Sequence, residues 1–230
     1  MKGINLTDPE FASRLDYFLN EVKENENQKL DEETRTLAIL SVLVATQSID
    51  LYKVKLEEAL HTDYSPVMVK EMVYQAVDYL GLGKVYPFIL ATNEVMKENG
   101  ITLPLESQQT TTIENRLEKG IAAQVEIFGS HMQEAWKNGD INYWLASSCF
   151  GDYYTRTGLD LRQRELITFC FLMAQGGCEP QLVAHASGNI NMGNDAVFLK
   201  KVVAQCLPYI GYPRSLNAIN CVEQANKNTK

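Results

Sequence analysis

No apolar run in the 230 residues approaches the ~18 needed to cross a bilayer. No block of Lys and Arg offers a surface to nucleic acid or to anionic lipid. Lys and Arg total 21 against 29 Asp and Glu, a net charge of −8, which sets the chain against polyanions of either kind. Residues 1–11 hold no apolar core of the signal-peptide type, so a cytoplasmic location is expected. The five cysteines (Cys149, Cys170, Cys178, Cys206, Cys221) are odd in number, lie in the second half and form no Cys-x-x-Cys pair. A disulfide framework and a zinc site are both disfavoured, and most of these thiols are expected as small reduced core residues. The three histidines, His61, His131 and His185, are far apart in sequence, and no bound metal is expected. No GxGxxG, P-loop or GxSxG string occurs, which leaves nucleotide and α/β-hydrolase chemistry without support. No segment alternates apolar and polar residues between turn signals, so strands are not expected.

What the chain does have is helix signals. Asp8 and Pro9 stand where an N-cap and a first helical residue belong, followed by Phe11, Leu15, Phe18, Leu19 and Val22 on one face. A second helix is expected from Asp31, carrying the run LAILSVLVA, which is apolar nearly all round and therefore buried. Helices are also expected from near Leu51, from Ser65-Pro66 to Gly81, and from about Lys84 to Asn99 with Gly100 as the stop.

The chain also matches itself. Asp31-Glu-Glu-Thr-Arg35 before an apolar helix answers Asp160-Leu-Arg-Gln-Arg164 before ELITFCFLMA, 129 residues on. Ser65-Pro-Val-Met-Val-Lys70 answers Asp195-Ala-Val-Phe-Leu-Lys200, and Tyr79-Leu-Gly81 answers Tyr209-Ile-Gly211, both 130 residues on. The expected organisation is an all-α fold of two tandem helical repeats, residues 1–102 and 113–230, joined by a Thr- and Gln-rich linker at 103–112. Arg35 and Arg164 occur in both copies and read as structural. Glu165, Cys178 and His185 face Thr36, Ile49 and Leu56, so the reactive set exists in the second copy alone. A set confined to one copy marks that copy as the bearer of a site.

Residues 161–218 resemble the carboxymuconolactone decarboxylase family, which includes the alkylhydroperoxidase D-like proteins. The likeness is carried by Arg162-Gln-Arg-Glu-Leu-Ile-Thr168, Gly176-Gly-Cys-Glu-Pro-Gln-Leu182, His185, Gly193 and Ile210-Gly-Tyr-Pro-Arg-Ser-Leu-Asn-Ala218. The resemblance implies an all-α fold and a homo-oligomer, with a trimer of two-repeat chains standing in for a hexamer. It also implies a small-molecule substrate and one of two activities. One is a decarboxylation that needs no cofactor. The other is a thiol peroxidase using a Cys-x-x-Cys-x-x-x-His motif with a Glu relaying protons. Cys178 and His185 stand at the first Cys and the His of that motif, but Gln181 replaces the second Cys. A non-catalytic binding or assembly role for the same fold is a third reading.

The residues themselves place this set. Glu179-Pro180 opens a helix, so Cys178 lies at its N-terminus, where partial positive charge favours a thiolate. His185 follows two turns on, on the same face. Gly176-Gly177 permit a tight reversal after the preceding helix, so the two helices run antiparallel and Glu165 can meet His185. The corresponding hairpin of the first copy is expected to form apolar packing. Should Cys178 act as a peroxidatic thiol, Cys170, Cys206 or an external thiol would have to resolve it. The aromatic group Tyr143, Trp144, Phe150, Tyr153 and Tyr154 reads first as packing or assembly surface, and His61 and His131 as surface residues.

Overall fold

The computed structural model describes residues 4–228, and every regular element among them is helical. Helices α1 (Pro9–Glu24), α2 (Glu32–Ala45), α3 (Ile49–Leu60), α4 (Pro66–Leu80) and α5 (Leu82–Glu98) form the first half. The second half has α6 (Arg116–Phe128), a 3₁₀ stretch (Ser130–Lys137), α7 (Asp140–Trp144) and a π-helical segment (Leu145–Tyr154). It continues with α8 (Leu161–Gln175), α9 (Glu179–Asn191) and α10 (Ala196–Asn228).

Local chemistry sets several of the helix starts. The Asp31 carboxylate accepts from the Thr34 amide, and the Ser65 hydroxyl accepts from the Met68 amide. Asp160 and Gln163 form a reciprocal capping box: the Asp160 side chain takes the Gln163 amide, and Gln163 Oε1 takes the Asp160 amide. Asp8 occupies the N-cap of α1 but makes no capping bond, because its carboxylate accepts the Thr7 hydroxyl instead.

Two glycines break the helices alike. Gly81, at φ 83° and ψ 146°, separates α4 from α5, and Gly211, at φ 77° and ψ 167°, interrupts α10. This left-handed backbone is open to glycine and strained for other residues. The order of helix, hairpin, helix, glycine break and helix therefore occurs twice, from α2 to α5 and from α8 through both parts of α10.

Helices α2 and α8 pack against each other at the centre. Residues 37–45 of the first and 164–174 of the second are buried throughout. One apolar core takes side chains from both halves, including Leu40, Tyr52 and Phe88 from the first and Phe169, Val202 and Ala218 from the second. Polar cross-links also join the halves. Arg35 Nε donates to Gln205 Oε1 at 2.9 Å, and Arg164 Nη1 donates to Gln75 Oε1 at 2.9 Å. Each Arg thus reaches the Gln of the opposite half, at corresponding positions.

The π-helical segment lies across α6 at backbone contact. A Cβ on Gly120 would stand 1.8 Å from the Ala146 carbonyl oxygen, and one on Gly151 would stand 2.2 Å from that of Arg116. These glycines let the segment carry Phe150 and Tyr154 inward, where both are buried. The expected aromatic group therefore divides: Phe150 and Tyr154 pack, whereas Tyr143 and Trp144 are exposed. Residues 103–112 have no helix but are tied down, with the Thr111 hydroxyl donating to the Gly151 carbonyl at 2.9 Å and that of Thr110 to Thr155 at 2.7 Å.

Candidate active site

Helices α8 and α9 form a hairpin turned at Gly176 (φ 65°) and Gly177 (φ 71°). The reversal sets the start of α8 opposite the middle of α9. His185 Nδ1 lies 3.0 Å from Glu165 Oε2 and 3.2 Å from Oε1. The carboxylate is fully buried, while the His185 side chain keeps 12% of its surface open. A carboxylate facing Nδ1 fixes the tautomer with the proton there, leaving Nε2 as the nitrogen that can serve a substrate. The imidazole is held edge-on between the rings of Tyr79 and Phe128, each with its centroid 5.4 Å away.

The pair is embedded in polar contacts. Tyr154 donates its hydroxyl to Glu165 Oε1 at 2.9 Å and lies 2.8 Å from the Thr168 hydroxyl. Tyr79, from α4 of the first half, places its hydroxyl 2.7 Å from that of Tyr154. Gln75 Nε2 donates to Thr168 Oγ1 at 2.9 Å and to the Arg164 carbonyl at 3.0 Å. Asn189 Nδ2 donates to the carbonyls of both Glu165 and His185 at 2.8 Å, tying α9 to α8 at the level of the pair.

Gly188 is the close-approach residue of the site. A Cβ there would stand 2.5 Å from Glu165 Oε2, 2.8 Å from Phe128 and 2.9 Å from Ile127. Gly188→Ala is expected to cost about 1–3 kcal/mol through overpacking. It should also push the Glu165 carboxylate off His185. Thermal denaturation together with the NMR shifts of the His185 ring tests this; an unchanged ring environment would mean that the neighbours give way freely.

Cys178 departs from its expectation. It is the N-cap residue of α9, with its Sγ donating to the Leu172 carbonyl at 3.5 Å and accepting from Gln175 Nε2 at 3.8 Å. No hydrogen bond joins it to Glu165 or His185 among the described residues. Burial pushes its thiol up, and Glu179 adds to that, against the opposing effects of the Gln175 bond and Arg214. The helix N-terminus therefore does not make it a thiolate, because desolvation outweighs the terminus. Nor are Cys170 and Cys206 placed to resolve it. Both are fully buried, and burial holds the Cys170 thiol well above its ordinary value, whereas Cys221 is the thiol that is pushed up by burial and then by the nearby Glu179 and Cys178.

In the first half, Leu56 is fully buried, as the expected apolar packing requires. Thr36 is not so packed. It lines an open cavity of about 360 Å³ together with Arg35, Lys55, Glu58 and Tyr209. His61 and His131 are exposed, and among the described residues no three His, Cys, Asp or Glu side chains converge as metal ligands. Sequence reasoning missed Thr168, Gly188 and Asn189. It read Tyr79 only as a repeat anchor and Tyr154 only as packing. The one local signal was the spacing of Gly188 and Asn189, one turn beyond His185.

Fold and site together define an all-helical protein with a buried carboxylate–imidazole pair on a helical hairpin. Residues 140–224 match the model of the carboxymuconolactone decarboxylase family. A 120-residue stretch, half of this chain, is 28% identical to 89% of the 4-carboxymuconolactone decarboxylase of Acinetobacter baylyi. The likeness to the carboxymuconolactone decarboxylase family is thus carried by this second half of the chain.

Proposed function

We propose that the protein is a decarboxylase of a carboxylated lactone that works without metal or organic cofactor, with His185 and Glu165 as its proton-transfer pair. The observation that carries this is the 3.0 Å contact between His185 Nδ1 and the buried Glu165 carboxylate. When the C–C bond to the carboxylate breaks, CO₂ leaves and the electron pair spreads into the lactone as a dienolate. A proton must then be delivered to carbon. An imidazolium braced by a carboxylate at Nδ1 donates it from Nε2, and the same brace offsets the charge of the imidazolium beforehand.

The thiol-peroxidase reading receives less support, since the Cys178 thiol is pushed up by burial and Gln181 stands where a second Cys would be. The proposal includes the tandem organisation, residues 1–102 and 113–230, which the reciprocal Arg35–Gln205 and Arg164–Gln75 bonds and the paired breaks at Gly81 and Gly211 favour. It also includes a homo-oligomer, a trimer of two-repeat chains. Exposed apolar residues at Leu82 and Tyr86 in α5 and at Tyr212 and Leu216 in α10, again 130 positions apart, suit that assembly.

The test is direct. Purified protein is given 4-carboxymuconolactone, and loss of its ultraviolet absorbance is followed together with released CO₂. Stoichiometric CO₂ at a rate above buffer is expected. No release across pH 5–8, with the protein folded, would overturn the reading. Sulfenic acid trapped at Cys178 by dimedone after peroxide would instead favour the peroxidase.

A further inference from the structure

The first half has a cavity of its own at the place that corresponds to the Glu165–His185 site. Its volume is about 360 Å³, within the ~300–1,000 Å³ usual for small-molecule pockets. Residues of α1, α2, α3 and α10 form its walls. Thr36, Ala59 and Tyr209 line it, and they correspond to Glu165, Gly188 and Tyr79 of the other half, at offsets of 129, 129 and 130. The reactive side chains are absent there, yet the space is not filled.

Arg35 is the charged group that this space leaves unsatisfied. Its Nε is taken by Gln205 Oε1 at 2.9 Å, and its Nη1 has only a 3.9 Å contact with Glu32. Among the described residues neither Nη nitrogen makes a hydrogen bond, although only 15% of the side chain is open. Arg164 shows what such a guanidinium takes when it is satisfied: its Nη nitrogens hold Gln75 and the Glu71 carboxylate. Gln75 corresponds to Gln205, but Glu71 corresponds to Lys201, 130 positions on. Arg35 therefore has the amide partner of its counterpart and lacks the carboxylate. A mostly buried cation without a close counter-charge is costly, and an anion entering the cavity would supply one.

The rest of the lining narrows the ligand. The hydroxyls of Thr36 and Tyr209 have no hydrogen-bond partner among the described residues. With the guanidinium fork they make a set of donors that matches a carboxylate. Leu19, Ile39 and Leu40 offer apolar wall to the remainder of a ligand. Three acids, Asp16, Glu32 and Glu58, stand against three bases, Lys23, Arg35 and Lys55. Lys55 pairs with Glu58 at 2.6 Å and Lys23 with Glu32 at 3.3 Å, so four of these charges are already matched. Arg35 is the base left over. Asp16, the acid left over, sets the cavity against a second negative charge.

We propose that this cavity is a second binding site, for a small molecule with one carboxylate and an apolar body, held through Arg35. It shares no lining residue with the Glu165–His185 pair, and it stands whichever reaction that pair runs. On this proposal the half that lacks the Glu–Cys–His set keeps the place of the site and uses it to bind.

The test is isothermal titration of benzoate, a monocarboxylate on an apolar ring, into the full-length protein, with benzamide as its uncharged match. The wild type is expected to bind benzoate saturably, with a Kd of about 1 mM or below. Benzamide should bind at least about tenfold more weakly, since it brings no charge to Arg35. Arg35→Gln removes the charge. Thr36→Glu puts into the cavity the carboxylate that the other half has at the corresponding position, and it serves if the Arg35 variant does not fold. Each should weaken benzoate binding by about tenfold or more, with helicity by circular dichroism unchanged. His185→Ala should bind benzoate as the wild type does, which separates this cavity from the other site. Wild-type affinity in the folded Arg35→Gln and Thr36→Glu variants would overturn the proposal. So would equal affinity for benzamide, loss of binding in His185→Ala, or no saturation up to about 10 mM benzoate. Failure of the wild type to release CO₂ from the lactone would refute the reaction and leave this site standing.

Discussion

His185→Ala and Glu165→Gln are each expected to lower turnover of 4-carboxymuconolactone by roughly 10²–10⁴-fold, the usual worth of a positioned acid or base. The two changes act on one unit. Without the ring there is no Nε2 to carry a proton to the dienolate carbon. In Glu165→Gln the ring loses the carboxylate that lies 3.0 Å from Nδ1, so an imidazolium has no counter-charge beside it. The double variant should therefore fall little below the worse single one, because the residues of such a unit are not additive. Steady-state kinetics on folded variants checks this. Retention of more than about a tenth of wild-type kcat in His185→Ala would remove the imidazole from the mechanism. Cys178→Ser, by contrast, should leave decarboxylation nearly intact, since no hydrogen bond ties Cys178 to the pair.

The largest effect on stability is expected from Glu71→Ala. Glu71 is 1% exposed and is gripped by two guanidinium groups. Arg156 binds both of its oxygens through Nε, at 3.1 and 2.9 Å, and adds Nη2 at 2.9 Å. Fully buried Arg164 adds Nη2 at 3.0 Å. Arg164 also donates to the carbonyls of Arg156 and Thr157, and its Nε has no partner. Removing the carboxylate would leave a buried cation without a counter-charge, a change that typically costs about 3–5 kcal/mol. For a chain of this size that lowers Tm by roughly 10 °C or more. Arg35→Ala should cost much less. Arg35 is partly exposed, and its ion pair with Glu32 is a long 3.9 Å contact. Equal Tm losses in the two variants would mean that the buried triad contributes no more than a surface pair.

These cases show where sequence reading reaches its limit. The corresponding Arg35 and Arg164 could be recognised as structural, but what Arg164 holds could not. Glu71 lies 93 residues away on α4, and only the packing of α4 on α8 brings them together. Cys178 is the opposite case. Its place at the start of α9 was legible, yet its protonation was misjudged, because a helix terminus is local whereas desolvation comes from everything packed around the sulfur.

The sequence by itself determined the local structure. Caps at Asp31, Ser65 and Asp160 act over three residues, and the breaks at Gly81 and Gly211 arise within single residues. The glycine pair at 176–177 likewise dictated an antiparallel hairpin, and with it the meeting of Glu165 and His185, since both lie on neighbouring helices joined by a short turn. The tertiary structure alone decided what surrounds that pair. Tyr154 reaches Glu165 only because Gly120 and Gly151 let the π-helical segment cross α6 at backbone contact. Tyr79 reaches Tyr154 across 75 residues because α4 of one half lies against the π-helical segment of the other. Contacts of that kind depend on how whole helices share one buried core, and no periodicity along the chain records them.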